Sequence, residues 1–351
     1  MSVFNGERFL RDAVESILDQ SLTDFEFIIV DDGSTDGSAS LLEFYKNNDP
    51  RVRVYSHENR GLVESLNIGC GLARGKYIAR MDADDIALRD RLALQVNVLE
   101  KHHELGCLGG AVEFIKASGV RIGTRYFPTK DHEIRSDLAR GDCPIFHPTV
   151  VMRTSAFISV GGYRKVVVDA EDYDLWLRIA DSFRLANLDT VVLKYRLHLQ
   201  QVSVRKFRQQ VLSALAAKTA SLSRSNGNPD PLESIPEVTP AVLTALGVSH
   251  DKQHAHINRG FLTCIRSMSD AGEATATRET IEAMLASPEW RSADLCLVAD
   301  FGLLSARIYW RQQRYMRSIA TAIHAFVIRP VMIGRPLKPL LRRLRLARPA
   351  L

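Results

Sequence analysis

Three aspartates within four residues are the strongest candidates for chemistry in this sequence. Asp82, Asp84 and Asp85 follow an apolar run at 77–81 that predicts a short strand. Carboxylates that stand adjacent or two apart at the end of a strand can gather around one hard divalent cation, which would in turn bridge a diphosphate. The alternative is a solvated loop whose aspartates cap the next helix. An EF-hand loop is a poor alternative, because its sixth position is Ala87, where the sharp turn needs glycine.

A second acidic loop, DDGSTDGS at 31–38, closes the preceding apolar run. Its two glycines permit tight turns, and the carboxylates of Asp31 and Asp32 could accept hydrogen bonds from a base or a ribose. The same residues also fit a turn followed by the N-cap of a helix that starts near Ser38. A dinucleotide-binding loop is not indicated, because no G-x-G-x-x-G opens the first helix.

Glu171 and Asp172 open a predicted amphipathic helix with the sequence EDYDLWLR at 171–178. A carboxylate in the first turn of a helix is stabilised as an anion by the helix dipole. Such a group could take a proton from a hydroxyl nucleophile as a general base. Taken alone, an acidic helix N-terminus also fits simple capping.

The elements that must position these loops alternate between strands and helices over residues 1 to about 200. Apolar runs at 25–30, 51–55 and 77–81 predict strands, and apolar residues at helical spacing separate them. This alternation indicates an α/β fold with a largely parallel sheet and helices on both faces. In such sheets ligands bind beyond the carboxyl ends of the strands, which is where the aspartate clusters fall.

The pattern changes after this region. We expect a connecting helix at 204–222, a linker at 223–240 that contains four prolines, and a helical C-terminal region at 241–351 that ends in a basic tail. Residues 301–351 contain 11 Arg and Lys and no Asp or Glu, whereas the first 300 carry 35 basic and 41 acidic residues. The mildly acidic body is a poor candidate for nucleic acid binding. The tail could contact an anionic membrane surface or be a solvated end.

Composition narrows the class of protein further. With 46% hydrophobic and 25% charged residues, the 351-residue chain is neither wholly disordered nor fibrous. Five scattered cysteines lack the paired spacing of a zinc site and indicate a reducing compartment. Histidines at 250, 254 and 256 are more typical of a polar helix start than of a metal site.

The apolar run at 318–328 is too short to cross a bilayer, and the N-terminus shows no signal pattern. We therefore expect a cytoplasmic protein that could lie at the inner face of the cell membrane.

Several segments occur in an order that resembles the inverting family 2 glycosyltransferases. They are DDGSTD at 31–36, ENRGL at 58–62, ARGKYI at 73–78, RMDADDI at 80–86, and GGY at 161–163 followed by the 171–178 helix. The resemblance covers roughly residues 1–203, and it is greatest to bacterial enzymes that build surface polysaccharides. It implies a GT-A fold, which is a Rossmann-like, mostly parallel mixed sheet flanked by helices, here followed by an all-α C-terminal region.

The resemblance also implies roles on the donor side of the site. The family's first loop, which holds the nucleobase, corresponds to Val3, Phe4, Asn5 and Glu7. Asp32 falls where a carboxylate contacts the base, and Asp82 falls on the ribose-side position of the D-x-D motif. Asp84 falls on the metal position, and Asp85 could share that ligand role. The implied cofactor is a divalent metal, Mg²⁺ or Mn²⁺.

On the acceptor side, Asp172 falls on the position of the base that deprotonates the acceptor hydroxyl, with Glu171 beside it. His147, Arg196 and His198 match recurrent family positions near the diphosphate or the acceptor, and structural packing is the alternative for each. One base and one displacement predict inversion at the anomeric carbon, because a retaining double displacement would need another nucleophile.

The start of the chain departs from the family pattern. The family's first strand reads as four or five apolar residues before a segment like Ser-Val-Phe-Asn, and here Met1 stands in their place. The sequence leaves open whether the true start lies upstream. If the chain begins at Met1, the pocket for the base lacks its supporting strand.

Together these features predict an inverting transferase that moves a hexosyl or deoxyhexosyl group from a nucleotide-diphosphate sugar to a hydroxyl of a glycan or lipid-linked acceptor. Its expected task is the assembly of bacterial surface polysaccharide or glycolipid. One alternative is a non-catalytic subunit that binds nucleotide sugar or glycan. The other is a metal-dependent phosphohydrolase, which would need a D-x-D-x-T arrangement that Asp31-Asp32-Gly33-Ser34 lacks.

Overall fold

The computed structural model of the protein describes residues 1–197, 204–271, 274–291 and 293–328. The chain divides into two compact units, Met1–Gly247 and Val248–Leu351.

The first unit contains a parallel sheet in the order β1-β2-β3, formed by β1 (Ser2–Val3), β2 (Phe27–Asp31) and β3 (Val52–Ser56). All five residues of β2 are paired with β3, but only its last two are paired with β1. The apolar run at 25–30 therefore forms a buried strand, as its sequence indicates. Asp31 and the acidic loop follow directly from the carboxyl end of β2.

A second sheet runs in the order β4-β8-β6-β9-β5, with β7 paired to β6. Its strands are β4 (Tyr77–Ala79), β5 (Ile86–Ala87), β6 (Leu105–Lys116), β7 (Arg121–Arg125), β8 (Val151–Arg153) and β9 (Arg184–Leu197). Only β6 and β9 pair in parallel within it. The α/β class is confirmed, but this sheet is mixed and mainly antiparallel. One of the antiparallel pairings has a local cause, because four residues join β6 to β7 and so short a connection permits only antiparallel neighbours.

Helices cover the sheets of the first unit. They are α1 (Glu7–Leu18), α2 (Ser38–Asn48), α3 (Leu62–Gly71), α4 (Arg91–Lys101), α5 (Asp131–Arg140), α6 (Thr154–Ser159), α7 (Glu171–Ala180), α8 (Val204–Ser225) and α9 (Pro240–Ala245). In α1, Leu10, Val14 and Ile17 recur at helical spacing and pack in one apolar cluster with side chains of β2, β6 and β9. This packing fixes the loop between β1 and α1 against the sheet.

The stretch predicted as a linker, 223–240, lies within the first unit. It includes a 3₁₀ turn at Pro231–Ser234, and the side chain of the preceding residue Asp230 is only 6% exposed and forms salt bridges with Arg164 and Arg224. Helix α8 ends at Ser225, before these prolines, and the ion pairs hold the segment against α8 and the residues before α7.

The described part of the second unit is helical throughout, with no strand among its described residues. Its helices are α10 (His250–Ala271), α11 (Ala274–Ala286), α12 (Pro288–Arg291), α13 (Leu295–Arg311) and α14 (Tyr315–Ile328). None of the helices described in the chain is both long and apolar enough to cross a bilayer.

A cleft of about 620 Å³ lies beside the short strand β1. Residues of β2 and β4 line it, and β4 is the edge strand of its sheet. The Met1 amino group points into this region and donates a hydrogen bond to the Ile28 carbonyl at 2.9 Å. Burial lowers the pKa of that amino group to about 6. The cleft is thus bordered by strand backbone and apolar side chains, which is the environment that an extended apolar segment fills.

We expect an engineered extension of Met1 by four β-forming residues, Val-Ile-Val-Ile, to stabilise the protein. The added residues would continue β1 along β2 and bury apolar side chains, raising the free energy of unfolding by about 1–3 kcal/mol. Urea unfolding measures the effect, with a Gly-Ser-Gly-Ser extension of equal length as the control. Equal midpoints for the two extended chains would show that the cleft does not accept a strand.

Candidate functional site

The aspartate cluster lies in the loop between β4 and β5. One carboxylate oxygen from each of Asp82, Asp84 and Asp85 lies within 4.8 Å of the others. Asp85 is fully buried, and its Oδ1 accepts a hydrogen bond from the Arg196 backbone N–H at 2.9 Å. Its Oδ2 is also buried, and no donor among the described residues reaches it. Within the described ranges, no other group of His, Cys, Asp and Glu gathers three ligand atoms in this way, including the histidines of α10.

The electrostatics of the cluster favour a cation. Burial raises the pKa of Asp85 well above its usual value, and the negative charges of Asp82 and Asp84 raise it further. Burial also raises the pKa of Asp82. Three carboxylates form the hard oxygen donor set that Mg²⁺ and Mn²⁺ prefer, and the unpartnered Oδ2 of Asp85 is a ligand atom in need of a partner. The residues present therefore fit a divalent metal.

The buried guanidinium of Arg80 connects this cluster with the other acidic groups. It forms a salt bridge with Asp82, while its Nε has no hydrogen-bond acceptor among the described residues. Burial raises the pKa of both Glu171 and Asp172, and the positive charge of Arg80 opposes that rise. Arg91, itself buried, holds the backbone here by donating from Nη2 to the Arg80 carbonyl at 2.6 Å. Arg80 occurs in the RMDADDI segment, but nothing in that segment indicates that its charge acts on both acidic groups.

Glu171 and Asp172 lie in the first turn of α7, as predicted. Burial raises the pKa of Glu171 to about 7, and the charge of Asp172 contributes to this rise. Burial likewise raises the pKa of Asp172, whose Oδ1 accepts a hydrogen bond from the Tyr173 N–H at 2.7 Å. The negative charge of Asp82 acts in the same direction on the pKa of Asp172. The pair can hold and release a proton near neutral pH.

The first loop is braced by the acidic loop after β2. Asn5, at a positive φ of 51°, donates from its N–H to Ser34 Oγ at 3.0 Å and accepts from the Thr35 N–H at 2.8 Å. Glu7 accepts from the Gly37 N–H at 2.9 Å. Val3 is buried, whereas the Phe4 ring is 53% exposed. The polar side chains therefore fix the loop, and the Phe4 ring is the apolar surface that the loop exposes.

Asp32 is buried and accepts hydrogen bonds from the backbone N–H groups of Arg60 and Gly61, at 2.7 and 3.0 Å. His57 Nδ1 lies 3.5 Å from the same carboxylate. The neighbouring Gly33 is needed where it stands, because a Cβ there would lie 2.7 Å from the Asn59 backbone nitrogen. Since each carboxylate oxygen has two lone pairs, these contacts leave Asp32 able to accept a further donor.

The remaining predicted residues differ in their surroundings. His147 is buried, its Nε2 lies 2.8 Å from the Tyr163 hydroxyl, and burial lowers its pKa well below the usual value, so it is neutral at pH 7. Arg196 braces the aspartate loop by donating from Nε to the Asp84 carbonyl at 2.8 Å, in addition to its contact with Asp85. His198 lies outside the described residues. Tyr163 was missed by sequence reasoning, although it is the tyrosine of the GGY segment.

The carboxylate cluster after β4 and the acidic start of α7, carried on this α/β fold, define the class: a transferase of the GT-A type. The sequence model of Glycosyl transferase family 2 matches residues 1–161. A 220-residue alignment with EpsE of Bacillus subtilis is 36% identical and covers 61% of this chain and 78% of that protein. The amylovoran biosynthesis glycosyltransferase AmsE of Erwinia amylovora is 34% identical over 211 residues, covering 59% and 78%. The chain belongs to glycosyl transferase family 2.

Solved structures agree on the fold. The structure of S. aureus TarS 1-349 in complex with UDP has a TM-score of 0.51 at 17% identity and covers 93% of this chain and 87% of that one. Mannosyltransferase PcManGT from Pyrobaculum calidifontis, in complex with GDP-Man and Mn²⁺, has a TM-score of 0.50 at 18% identity and covers 93% and 85%. The GT-A-like fold predicted from the motifs is confirmed.

Replacing Arg80 with Met tests its place among the carboxylates. We expect Arg80→Met to lower the free energy of unfolding by about 3–5 kcal/mol at pH 8, because it leaves buried carboxylates without their cation. The loss should be smaller at pH 5, where those carboxylates can take up protons. Denaturant unfolding at both pH values measures this. The control is Arg60→Met, which removes an exposed pair with Glu58 and should cost less than about 1 kcal/mol. A loss that is equal at both pH values would mean that Arg80 acts through packing alone.

Proposed function

We propose that this chain is an inverting glycosyltransferase that moves a hexosyl or deoxyhexosyl group from a nucleotide-diphosphate sugar to a hydroxyl acceptor. The observation that carries the proposal is the pairing of two acidic groups around Arg80. One is a cluster with an unpartnered buried oxygen on Asp85, and the other is a buried pair of carboxylates at the start of α7. Donor activation and acceptor activation need these two different kinds of group.

In this proposal Asp84 and Asp85 hold a divalent cation, Mg²⁺ or Mn²⁺, and Asp82 lies on the ribose side. When bound, the cation supplies positive charge that offsets the charge of the departing nucleoside diphosphate. Arg196 keeps the loop in place through its contacts with Asp84 and Asp85. The loop therefore needs little rearrangement when its carboxylates become ligands.

Asp172 is the proposed general base. Burial raises its pKa, which makes the ionised carboxylate a stronger base than an exposed aspartate. Burial and the negative charge of Asp172 raise the pKa of Glu171 to about 7, so Glu171 can hold a proton near neutral pH while Asp172 accepts the one from the acceptor. The acceptor oxygen bonds to the anomeric carbon, the bond from that carbon to the phosphate oxygen breaks, and the hydroxyl proton passes to Asp172. A single displacement of this kind inverts the anomeric carbon.

The nucleotide side of the site is proposed to consist of the first loop and two acidic positions: Val3, Phe4, Asn5, Glu7, Asp32 and Asp82. The exposed Phe4 ring suits stacking on a base, and the backbone hydrogen bonds of Asn5 hold the loop open. His147 and Arg196 lie on the diphosphate or acceptor side. His147 is neutral, so it contributes hydrogen bonding through Tyr163 rather than charge.

The proposed setting is the assembly of bacterial surface polysaccharide or glycolipid at the inner face of the cell membrane. Its support is the similarity to AmsE, an amylovoran biosynthesis glycosyltransferase. The acceptor is a growing glycan, carried by a lipid in the simplest case. The basic C-terminal segment then contacts an anionic membrane surface.

Donor binding across a panel of nucleotide sugars, with and without Mn²⁺, tests the metal assignment. We expect one donor class to bind with Mn²⁺ and to lose about 10–100-fold in affinity without it. Asp84→Asn should abolish the Mn²⁺ effect, because it removes a ligand charge. The exposed neighbour Asp90 supplies the control, since Asp90→Asn should bind as the unaltered chain does. Donor binding that is independent of metal in all three proteins would overturn the assignment, and phosphate release from sugar phosphates without an acceptor would favour a hydrolase.

Variants of the α7 carboxylates test the base. Asp172→Asn should bind donor normally but lose about 10²–10⁴-fold in transfer rate. Glu171→Gln should keep transfer and lose the rise in rate near pH 7, because in the unaltered chain ionisation of Glu171 makes Asp172 more basic. Transfer rates from pH 5 to 9 measure both effects. Asp142→Asn, an exposed carboxylate near the site, is the control. Loss of transfer in Glu171→Gln with retention in Asp172→Asn would assign the base to Glu171 instead.

A further inference from the structure

Helix α14 packs against α13 through its smallest side chains. Ser318 and Ala325 are buried, and Ser318 Oγ donates a hydrogen bond to the Ala306 carbonyl at 2.7 Å. At Gly302 of α13, an added Cβ would lie 2.9 Å from the Ala325 Cβ. The two helices therefore approach closely, and the contact leaves no room for large side chains along this line.

Four large apolar side chains of α14 lie on the opposite side, whereas Phe326 and Ile328 are half-buried against the contact with α13. Met316, Ile319, Ile323 and Val327 are 80%, 47%, 56% and 72% exposed, and their spacing of three, four and four residues places them on one helix face. We call these four residues the outer stripe. A helix of a globular protein usually turns such a stripe toward its core, so an exposed one indicates a binding surface.

Aromatic and basic side chains border the outer stripe. Trp310 and Tyr315, both about half exposed, form an edge-to-face pair with ring centroids 4.9 Å apart at the N-terminal end of α14. Arg314 and Arg317 are exposed beside them. Arginine and amphipathic aromatic rings flanking an apolar helix face are typical of helices that lie in the interface of a lipid bilayer.

The charge of residues 301–351 indicates which partner fits the outer stripe. Residues 301–351 contain 11 Arg and Lys and no Asp or Glu. A second copy of the chain docking here would bring two such segments together without any acid from this part to pair with them. A surface of anionic lipid pairs with both features, since it accepts the apolar stripe and attracts the arginines.

We propose that α14 is an interfacial helix whose outer stripe inserts into an anionic lipid surface. This inference deepens the proposed function and rests on it in one respect. If the acceptor is linked to a lipid, the site must reach it at the membrane surface. The reaction itself does not require the outer stripe, which contains no residue of the candidate site.

Flotation of the full chain with lipid vesicles tests the proposal. We expect binding to vesicles of phosphatidylcholine mixed with phosphatidylglycerol, and much weaker binding to phosphatidylcholine alone. The double variant Ile319→Ser with Ile323→Ser should bind about tenfold more weakly or worse, because it removes two inserted apolar side chains. Arg314→Gln with Arg317→Gln should weaken binding most at low salt.

The matched control is Leu285→Ser with Leu295→Ser, which removes two exposed apolar side chains of the same unit that lie outside the outer stripe. It should bind as the unaltered chain does. All the replaced side chains are exposed, and thermal unfolding checks that each variant folds. Equal binding by the stripe variant and the control would overturn the proposal.

Sedimentation velocity distinguishes a second copy as the occupant. A dimer that the stripe variant abolishes, in a protein that ignores anionic vesicles, would also overturn the proposal. Donor binding with Mn²⁺ is measured on the same variants and should be unchanged. Vesicle binding without donor binding would refute the proposed function and leave the interfacial helix standing, whereas the reverse would refute only the interfacial helix.

Discussion

A single buried guanidinium among several carboxylates is the constraint on which the candidate site depends. Arg80 is paired with Asp82 and opposes the rise that burial causes in the pKa of Glu171 and Asp172, so its positive charge acts on both acidic groups. Without it, burial would drive these carboxylates toward their neutral forms. A cation in the aspartate cluster would add a second positive charge, and Arg80 would then be free to offset the α7 pair. The site thus contains fewer positively charged side chains than carboxylates, and a divalent metal would supply the missing positive charge.

The rest of the first unit holds this unfavourable arrangement together. Arg196 donates to the aspartate loop from its backbone and its side chain, and Arg91 fixes the carbonyl of Arg80. Both arginines are buried and donate to backbone carbonyls, and Arg196 also donates to the Asp12 carboxylate, so they hold the loop mainly through its backbone. The same logic applies to α7, where Asp174 is paired with Arg164 and Arg178 and anchors the helix that presents Asp172.

In the second unit, helix α14 packs against α13 and leaves an apolar stripe exposed. Small residues on its packed side bring it close to α13, and this leaves the four residues of the outer stripe on the surface. Phe326 and Ile328 instead lie half-buried against the same contact. The exposed outer stripe of α14 therefore calls for a functional explanation.

The sequence by itself determined what local chemistry can specify. The aspartates after β4, the acidic start of α7 and the acidic loop after β2 are encoded within a few residues, so their elements and their motif order were readable, and with them the family. Only the tertiary structure decided the mixed pairing of the second sheet, the place of Arg80 between two acidic groups, and the burial of Asp230 within a stretch that reads as a linker. These depend on contacts between residues tens of positions apart, whose partners no local spacing identifies. The reason is physical. A residue becomes buried, and its charge becomes paired, only when distant segments of the chain have packed around it.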